Sequence, residues 1–453
     1  MNKQNECSRR DFFKSSALGA FGALTVPAIL TGCTGTESKK EPLVVNANEI
    51  LFKAPAGRLL KAGLVGCGGR GTGAAADFLA AGDGLQITAL GDAFQDRLNT
   101  CRANLKAKGH EVDDKNCFVG LDCCKKVTDS GVDIVLLCNP PIFRPDDFDY
   151  VIEKGKHCFM EKPAATCPTG VRKILMTHRK SVQRGLSVVT GTVLRSSRNH
   201  IETYRRVAEG AIGKIVSAHM SRMGGALWFM ERKPGWTDME YMLRNWVSFC
   251  RTSGDFLVEQ MVHHIDQLLW FMNEELPVSV KATGGRQRRQ TGDMYDHFSV
   301  EFKYENGVLA HCTSRQIDGC SNSQTYRIFG TKGYTDCAST IWNYDGTVAW
   351  EYPFPKQDDP DQTWAVPPIT VQEHIRLVNA IRTGKPVHEA ESLANSTLMS
   401  IMGREAAYTG KFITWSQIMS SDQNLMFDNY EFGPIPGFKE EIPRAGVDNK
   451  PRT

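Results

Sequence analysis

A glycine-rich turn between an apolar run and a helix-forming run is the feature that most restricts the fold of this chain. Residues 58–66, "RLLKAGLVG", have the apolar character of a buried strand, and residues 72–81, "TGAAADFLAA", favour a helix. Between them, Gly66-Cys67-Gly68-Gly69-Arg70-Gly71 follows the pattern G-x-G-x-x-G. Gly66 permits a tight turn, Gly68 lets the backbone approach a phosphate, and Gly71 lets helix and strand pack closely. The turn therefore predicts the first strand–helix unit of an α/β domain that binds a dinucleotide.

Two further apolar runs support this prediction. Residues 85–92, "LQITALGD", end in Asp92, about twenty residues after the turn, where an acidic side chain hydrogen-bonds a ribose diol. Because a carboxylate at that place disfavours a 2′-phosphate, we expect NAD rather than NADP. Residues 132–141 are apolar on both faces, as in a buried parallel strand, and they contain Asn139 and Pro140 at the carboxyl end, where ligands bind in such sheets.

These stretches, taken with two others, resemble the Gfo/Idh/MocA oxidoreductases, whose members act mostly on sugars and cyclitols. The additional stretches are "GKHCFMEKP" (155–163) and "VEQMVHHIDQLLW" (258–270). The resemblance spans residues 59–415 and implies an α/β fold class with two domains. The expected parts are an N-terminal Rossmann domain (58–190), a C-terminal α/β domain with a large, mainly antiparallel open sheet (191–420), and a tail (421–453). It also implies C-terminal helices that pack back on the first domain, and a homo-oligomer formed through the second sheet.

The resemblance assigns roles to several of these residues. Lys162 is the expected catalytic lysine, because an ammonium group there would stabilise negative charge on the reacting hydroxyl. Glu161 is expected near a ribose of the cofactor, and Asn139 and Pro140 are expected near the nicotinamide.

A second constellation lies in residues 254–270, which have helical periodicity. Glu259, His263 and Asp266 are spaced four and three apart, so one helix would place them on a common face and turn His264 elsewhere. A carboxylate beside His263 would raise its pKa. The family pattern Asp-x-x-x-His makes His263 the general base and places Glu259, one methylene longer, at the aspartate position. A helix with a solvated polar face is the alternative.

Other candidates for substrate contacts are weaker. Arg195, Arg244 and Asp266 carry suitable charges, and Trp228, Trp236 and Trp246 offer aromatic surface, although a core or loop role fits each tryptophan equally well. The 14 cysteines are scattered and no C-x-x-C pair matches a zinc pattern, so we expect buried thiols and no metal site.

The first 32 residues have the features of an export signal. "SRRDFFK" (8–14) resembles a twin-arginine motif, an uncharged stretch follows, and "LTGC" (30–33) resembles a lipoprotein signal-peptidase site. The resemblance implies that Cys33 is lipidated and that residues 33–57 form a tether. The protein would then be exported to the periplasm or cell surface and anchored to a membrane. A chance amphipathic N-terminus is the alternative.

The sequence predicts hydride transfer between NAD and a sugar, sugar derivative or glycoside. A net charge of +3 over 453 residues gives no reason to expect a nucleic-acid partner. Because free NAD is scarce outside the cytoplasm, an exported enzyme would need a tightly bound, internally recycled cofactor. Two alternatives remain at this point: an NAD-dependent glycoside hydrolase that works by oxidation, elimination and reduction, and a lipid-anchored sugar-binding protein with a vestigial cofactor site.

Overall fold

The computed structural model describes residues 51–354 and 367–447. The expected signal peptide, Cys33 and most of the tether lie outside the described residues. No helix among the described residues is long and apolar enough to cross a membrane.

The described residues form fifteen strands and thirteen α-helices. The strands are β1 (Leu60–Val65), β2 (Leu85–Asp92), β3 (Cys117–Val119), β4 (Ile134–Leu137), β5 (His157–Met160), β6 (Val188–Thr190), β7 (Ile215–Gly224), β8 (Ser279–Gly285), β9 (His297–Lys303), β10 (Leu309–Gln316), β11 (Ser323–Gly330), β12 (Gly333–Thr335), β13 (Thr340–Asn343), β14 (Val348–Glu351) and β15 (Ile413–Thr414). The helices are α1 (Gly69–Ala80), α2 (Gln95–Ala107), α3 (Cys123–Asp129), α4 (Arg144–Glu153), α5 (Pro168–Gln183), α6 (Arg198–Ala208), α7 (Asp238–Arg244), α8 (Cys250–Ser253), α9 (Phe256–Glu259), α10 (Val262–Phe271), α11 (Ile369–Thr383), α12 (Ala390–Thr409) and α13 (Trp415–Met419).

The first sheet has six parallel strands in the order β3-β2-β1-β4-β5-β6. The chain runs from the centre to one edge, returns, and continues to the other edge, so the strand order reverses between β1 and β4. At such a point the carboxyl ends of neighbouring strands leave a crevice for a ligand. All four residues of β4 are buried, since helices cover both faces. The predicted Rossmann-type domain is confirmed.

The second sheet has nine strands in the order β14-β13-β12-β11-β7-β10-β9-β8-β15. Every pair is antiparallel except β7 with β10. Helices α10 and α12 pack on one face. Side chains along β9 and β10 alternate between buried and more exposed positions, as expected for a sheet covered on one side. The predicted large, mainly antiparallel sheet is also confirmed.

The last two long helices return to the first domain. They end at Gly384 and Gly410, whose φ angles of 67° and 71° lie in the left-handed region that glycine adopts at a helix C-terminus. Helix α11 packs against α1, and its Val371 and Ile375 join the apolar cluster beneath β1. A helix that follows β14 in sequence therefore forms a wall of the nucleotide-binding domain.

The segment 254–270 is not one helix, which corrects the sequence prediction. It forms two helices, α9 and α10, and the helical conformation is interrupted between them at Gln260 and Met261. The first piece begins after Gly254 and Asp255, whose φ angles are 84° and 79°, and the buried Asp255 carboxylate accepts a hydrogen bond from the backbone N–H of Phe256. Because of the break, helical spacing does not decide where the polar side chains of this segment point.

Candidate active site

A cavity of about 700 Å³ opens at the strand-order reversal of the first sheet and extends to α9 and α10. Its volume lies within the usual range of ligand pockets, roughly 300–1,000 Å³. The structure brings most of the predicted site residues to its wall. Those residues are Gly66, Gly68, Gly69, Arg70, Gly71, Asp92, Asn139, Pro140, Glu161, Lys162, Arg244, Glu259 and His263.

The glycine turn has the shape that its sequence predicts. Gly66 has a φ of 94°, and a Cβ atom on it would lie 2.6 Å from the backbone N of Asn139. A Cβ atom on Gly71 would lie 1.7 Å from the carbonyl oxygen of Gly66, so only glycine fits there. Gly68 and Gly69, in contrast, face open space at the N-terminus of α1. Free backbone N–H groups and the helix dipole favour an anion at this place, and the turn therefore fits a pyrophosphate.

Asp92 holds the glycine turn in place by hydrogen bonds. Its carboxylate accepts hydrogen bonds from the backbone N–H groups of Cys67 (2.6 Å) and Phe94 (2.8 Å). Burial raises the pKa of Asp92, while these two hydrogen bonds act in the opposite direction. Each oxygen keeps a lone pair for a ligand hydroxyl. Arg97, which the sequence analysis missed, also lines the cavity and brings positive charge near Asp92.

A buried arginine that the sequence analysis missed ties the ends of β4 and β5 together. The guanidinium of Arg144 donates to the carbonyl oxygens of Asn139 (2.6 Å) and Pro163 (2.5 Å). Burial lowers the pKa of Arg144 to about 10, so the group is still charged at neutral pH. The amide of Asn139 in turn donates to Asp147 (2.6 Å). Position 144 directly follows the "NPPIF" turn, and this proximity is the only sequence signal for its role.

Lys162 and Glu259 form an ion pair across the two domains. The Lys162 Nζ atom lies 2.6 Å from Glu259 Oε1 and 2.6 Å from the Glu259 carbonyl oxygen. Burial alone would raise the pKa of Glu259, but the charge and hydrogen bond of Lys162 outweigh it and hold that pKa below its ordinary value. The carboxylate is therefore ionised, and Lys162 is held at the cavity wall.

His263 lines the same cavity, but its pKa differs from the sequence expectation. Burial, followed by the positive charges of Lys162 and Arg222, holds the pKa of His263 well below its ordinary value. The expected rise does not occur because the carboxylate of Glu259 is bound to Lys162 and Gln260 instead. Within the described chain, no hydrogen bond reaches either ring nitrogen. The imidazole is thus neutral at physiological pH and available to accept a proton.

Two residues that the sequence analysis missed hold Glu259 in place. The side-chain amide of Gln260 donates to the Glu259 carboxylate, and its carbonyl oxygen accepts from Arg222 at 2.6 Å. Arg222 lies on β7, in the second sheet, and the bond fixes which end of the amide faces Glu259. The resulting chain of contacts runs from Arg222 through Gln260 and Glu259 to Lys162.

Asp266 and Arg195 do not line the cavity, so its wall gives no support to their predicted contact with substrate. They bind each other, with Arg195 Nε 2.8 Å from one Asp266 oxygen and Nη2 3.0 Å from the other, and Arg195 also contacts Glu274 at 2.6 Å. None of the three residues Arg195, Asp266 and Glu274 lines the cavity. His264, as predicted, points elsewhere: its ring is stacked on Tyr326 with centroids 4.2 Å apart.

Aromatic side chains form the outer part of the cavity. Trp228, which is 46% exposed, and Trp246 both line it, with ring centroids 6.0 Å apart. Arg244 lines it too, but its guanidinium pairs with Asp96 (3.1 Å) and Glu240 (2.9 Å). Trp236 is absent from the wall. The tryptophan pair is therefore the better candidate for contact with a sugar ring.

Two family models match this chain. The model described as an oxidoreductase family with an NAD-binding Rossmann fold matches residues 60–189, and the GFO/IDH/MocA C-terminal domain matches residues 200–335. Together they cover more than half of the chain.

The chain belongs to the Gfo/Idh/MocA oxidoreductase family.

The individual proteins that the chain resembles share less than a quarter of its residues in the aligned regions. An inositol 2-dehydrogenase of Acidothermus cellulolyticus is 24% identical over 256 residues, which are 56% of this chain and 65% of that protein. A 1,5-anhydro-D-fructose reductase of Ensifer adhaerens is 24% identical over 222 residues, 45% of this chain and 62% of that protein. The chain thus spans less than two thirds of the length of these relatives. The crystal structure of the WlbA dehydrogenase of Bordetella pertussis with NADH and UDP-GlcNAcA superposes with a TM-score of 0.58 at 18% identity, covering 79% of this chain and 99% of that one.

Proposed function

We propose that this Gfo/Idh/MocA protein is an NAD-dependent oxidoreductase that oxidises a carbinol carbon of a sugar, sugar derivative or glycoside. The observation that carries the proposal is the meeting, in one cavity, of the glycine turn, the Lys162–Glu259 pair and the neutral His263. The names of the relatives, which refer to an inositol and to an anhydro sugar, support a polyhydroxylated ring as substrate.

The side chains of the cavity divide the proton chemistry between them. A bound nicotinamide would supply the hydride acceptor. His263 accepts the proton of the reacting hydroxyl, because its neutral imidazole has a lone pair on one ring nitrogen. Lys162 donates a hydrogen bond to the same oxygen and stabilises the negative charge that develops there. Glu259 positions Lys162 by accepting two hydrogen bonds from its Nζ atom.

The residues present fit a dinucleotide. The turn from Gly66 to Gly71 and the N-terminus of α1 would hold the pyrophosphate, Asp92 the adenosine ribose, and Asn139 and Glu161 the nicotinamide half. We infer a preference for NAD because a 2′-phosphate would lie against the Asp92 carboxylate. Dissociation constants for NAD and NADP, measured by calorimetry on the nucleotide-free protein, test this preference, and tighter binding of NADP would contradict it.

We further propose that the protein is exported and lipid-anchored at Cys33, and that its NAD stays bound and is recycled in place. The twin-arginine pattern supports this, since that route carries folded proteins with their cofactors. Association rate constants are typically 10⁵–10⁷ M⁻¹s⁻¹. Retention for about an hour then requires a dissociation constant near nanomolar or below, which corresponds to roughly 12 kcal/mol. Membrane fractionation of the wild type and of Cys33→Ser tests the anchor, and equal amounts in the membrane fraction would refute it.

A homo-oligomer through the second sheet is also part of the proposal. The face of this sheet opposite α10 and α12 is not covered by another described element. Light scattering coupled to gel filtration measures the assembly directly. A mass equal to that of one chain at micromolar concentration would refute it.

The first experiment on the activity is the detection of NAD. The purified protein is denatured, and the released nucleotide is identified by mass spectrometry. We expect about one NAD per chain. If none is released and added NAD does not bind, the protein is not a nicotinamide enzyme.

A panel of sugars and glycosides then separates the oxidoreductase from the glycoside hydrolase. A keto-sugar product, or reduction of the bound nicotinamide, supports the proposal. Release of the aglycone without net reduction of NAD would show instead that the enzyme oxidises, eliminates and reduces one molecule. The panel should include inositols and free aldoses together with glycosides of both anomers.

A further inference from the structure

A buried carboxyl group on α11 faces the cavity without a complete set of partners. Glu373 is 1% exposed and lines the cavity, although it lies about 180 residues after the last strand of the Rossmann domain in sequence. Among the described residues, its Oε1 atom has no hydrogen-bond partner. A buried polar atom without a partner is destabilising, so its presence in a cavity wall indicates a ligand that completes it.

The surroundings of Glu373 determine its protonation. Its Oε2 atom lies 3.8 Å from the Nη2 atom of Arg70. Arg70 is shared, however, because its Nε atom lies 2.5 Å from Glu161 and its Nη1 atom lies 3.2 Å from Asp77. Burial and the negative charge of Glu161 raise the pKa of Glu373 well above its ordinary value, and Arg70 opposes this only in part.

The remaining charges near Glu373 come from its own helix and from the turn before α12. Arg376 lowers the pKa of Glu373 and Glu389 raises it, and these two residues form an ion pair with each other. A protonated carboxyl group can donate a hydrogen bond, whereas an ionised one can only accept. Next to a pyrophosphate the protonated form is favoured further, because a second anion disfavours the carboxylate.

We propose that Glu373 binds the dinucleotide cofactor by donating a hydrogen bond from its protonated carboxyl group to a phosphate or ribose oxygen. The wall formed by α11 thereby contacts the cofactor from beside the glycine turn, next to Arg70. This inference rests on the proposed function, since it requires a dinucleotide in the cavity. It adds a binding residue from outside the Rossmann domain.

The test uses two variants of the full chain that differ in one property. Glu373→Gln keeps a donor of similar shape without the charge, and Glu373→Ala removes the donor. The readout is the dissociation rate of NAD, followed by its transfer to an excess of an unrelated dehydrogenase. We expect NAD to leave Glu373→Ala about tenfold to a hundredfold faster than the wild type, as for loss of a strong hydrogen bond, and to leave Glu373→Gln within about threefold of the wild-type rate.

The pH dependence provides a second readout. In the wild type, dissociation should accelerate at high pH, because the carboxyl group loses its proton and then repels the pyrophosphate. Glu373→Gln cannot lose that proton and should show no such acceleration. A thermal midpoint measured without nucleotide shows whether each variant is folded.

Three outcomes have distinct meanings. Equal dissociation rates for Glu373→Ala and the wild type would overturn the inference and leave the proposed function intact. An equal increase in the NAD dissociation rate of Glu373→Gln and Glu373→Ala would also overturn the inference. The charge of the carboxyl group, and not its hydrogen-bond donor, would then determine cofactor binding. If the wild type binds no NAD at all, the proposed function itself has failed.

Discussion

The two halves of the cavity differ in the groups that form them: one half is mainly backbone and the other is mainly charged side chains. The nucleotide half is made mainly of backbone: the turn from Gly66 to Gly71 and the free N–H groups of α1. The reaction half is made of charged side chains, namely Lys162, Glu259 and the residues that hold them. A backbone site tolerates few changes of shape, whereas a side-chain site depends on charge balance. Variants should therefore fail in different ways in the two halves.

The largest effect should come from the reaction half, with Lys162→Met. The rate of hydride transfer should fall by about 10²- to 10³-fold, because a donor to the developing oxyanion is lost. The free energy of unfolding should also fall by about 3–5 kcal/mol, since Glu259 is left buried and unpaired. Single-turnover absorbance of reduced nicotinamide and urea unfolding measure the two effects.

A double variant separates these effects. Lys162→Met combined with Glu259→Gln removes both charges and should recover most of the stability but none of the rate. If the Lys162→Met single variant transfers hydride at a rate within threefold of the wild type, Lys162 is not catalytic.

His263→Gln should reduce the rate by about 10²- to 10⁴-fold, the usual contribution of a general base. The wild-type pH profile follows from the depressed pKa of His263. Because a base works only when unprotonated, the rate should stay level as the pH falls through about 6.5, the ordinary histidine value, and decline only well below it.

His264→Phe is the matched control, since it keeps an aromatic ring against Tyr326 outside the cavity. It should change the rate far less than His263→Gln. A wild-type rate that halves near pH 6.5 would contradict the neutral, buried base.

A smaller effect is expected from the residues that position Glu259. Gln260→Leu and Arg222→Met should each lower the rate by about tenfold or somewhat more, as for a hydrogen bond to a charged group. Arg222→Met should also move the acid limb of the pH profile to higher pH, because the positive charge of Arg222 lowers the pKa of His263.

Arg327→Met serves as the control for Arg222. Arg327 lies on the neighbouring strand β11 and packs over Trp342 at 5.0 Å, away from the cavity wall. It should leave both rate and profile unchanged. An unshifted profile in Arg222→Met would show that Arg222 has only a structural role.

The smallest effect belongs to the nucleotide half. Asp92→Ser should weaken NAD binding only severalfold, since one net hydrogen bond contributes about 0.5–1.5 kcal/mol, and should improve the relative affinity for NADP. Calorimetric titration with both nucleotides measures the ratio. Asp113→Ser, in an exposed pair with Lys115, is the control, and a ratio that Asp92→Ser leaves unchanged would remove Asp92 from cofactor selection.

The sequence predicts the nucleotide half better than the reaction half for a physical reason. The glycine turn, Asp92 and the end of β4 depend on local backbone geometry, which short motifs encode. Gln260, which binds Glu259, lies at a helix break, and its own partner Arg222 lies on β7. Glu373 is brought in by α11, so no local pattern indicates these residues. The spacing argument for Glu259, His263 and Asp266 holds for the first two, which both line the cavity although a helix break separates them. It fails for Asp266, which lies on α10 with His263 but pairs with the buried Arg195.

The position of α11 has a consequence for the time at which the cavity is completed during synthesis. Thr370 and Glu373 line the nucleotide cavity, yet they are made about 180 residues after β6, the last strand of the first sheet. A ribosome that has finished the Rossmann strands has therefore produced only part of the cavity wall. The full wall exists only after α11 has been synthesised. We therefore expect the cofactor to bind with full affinity only from that stage of synthesis onward.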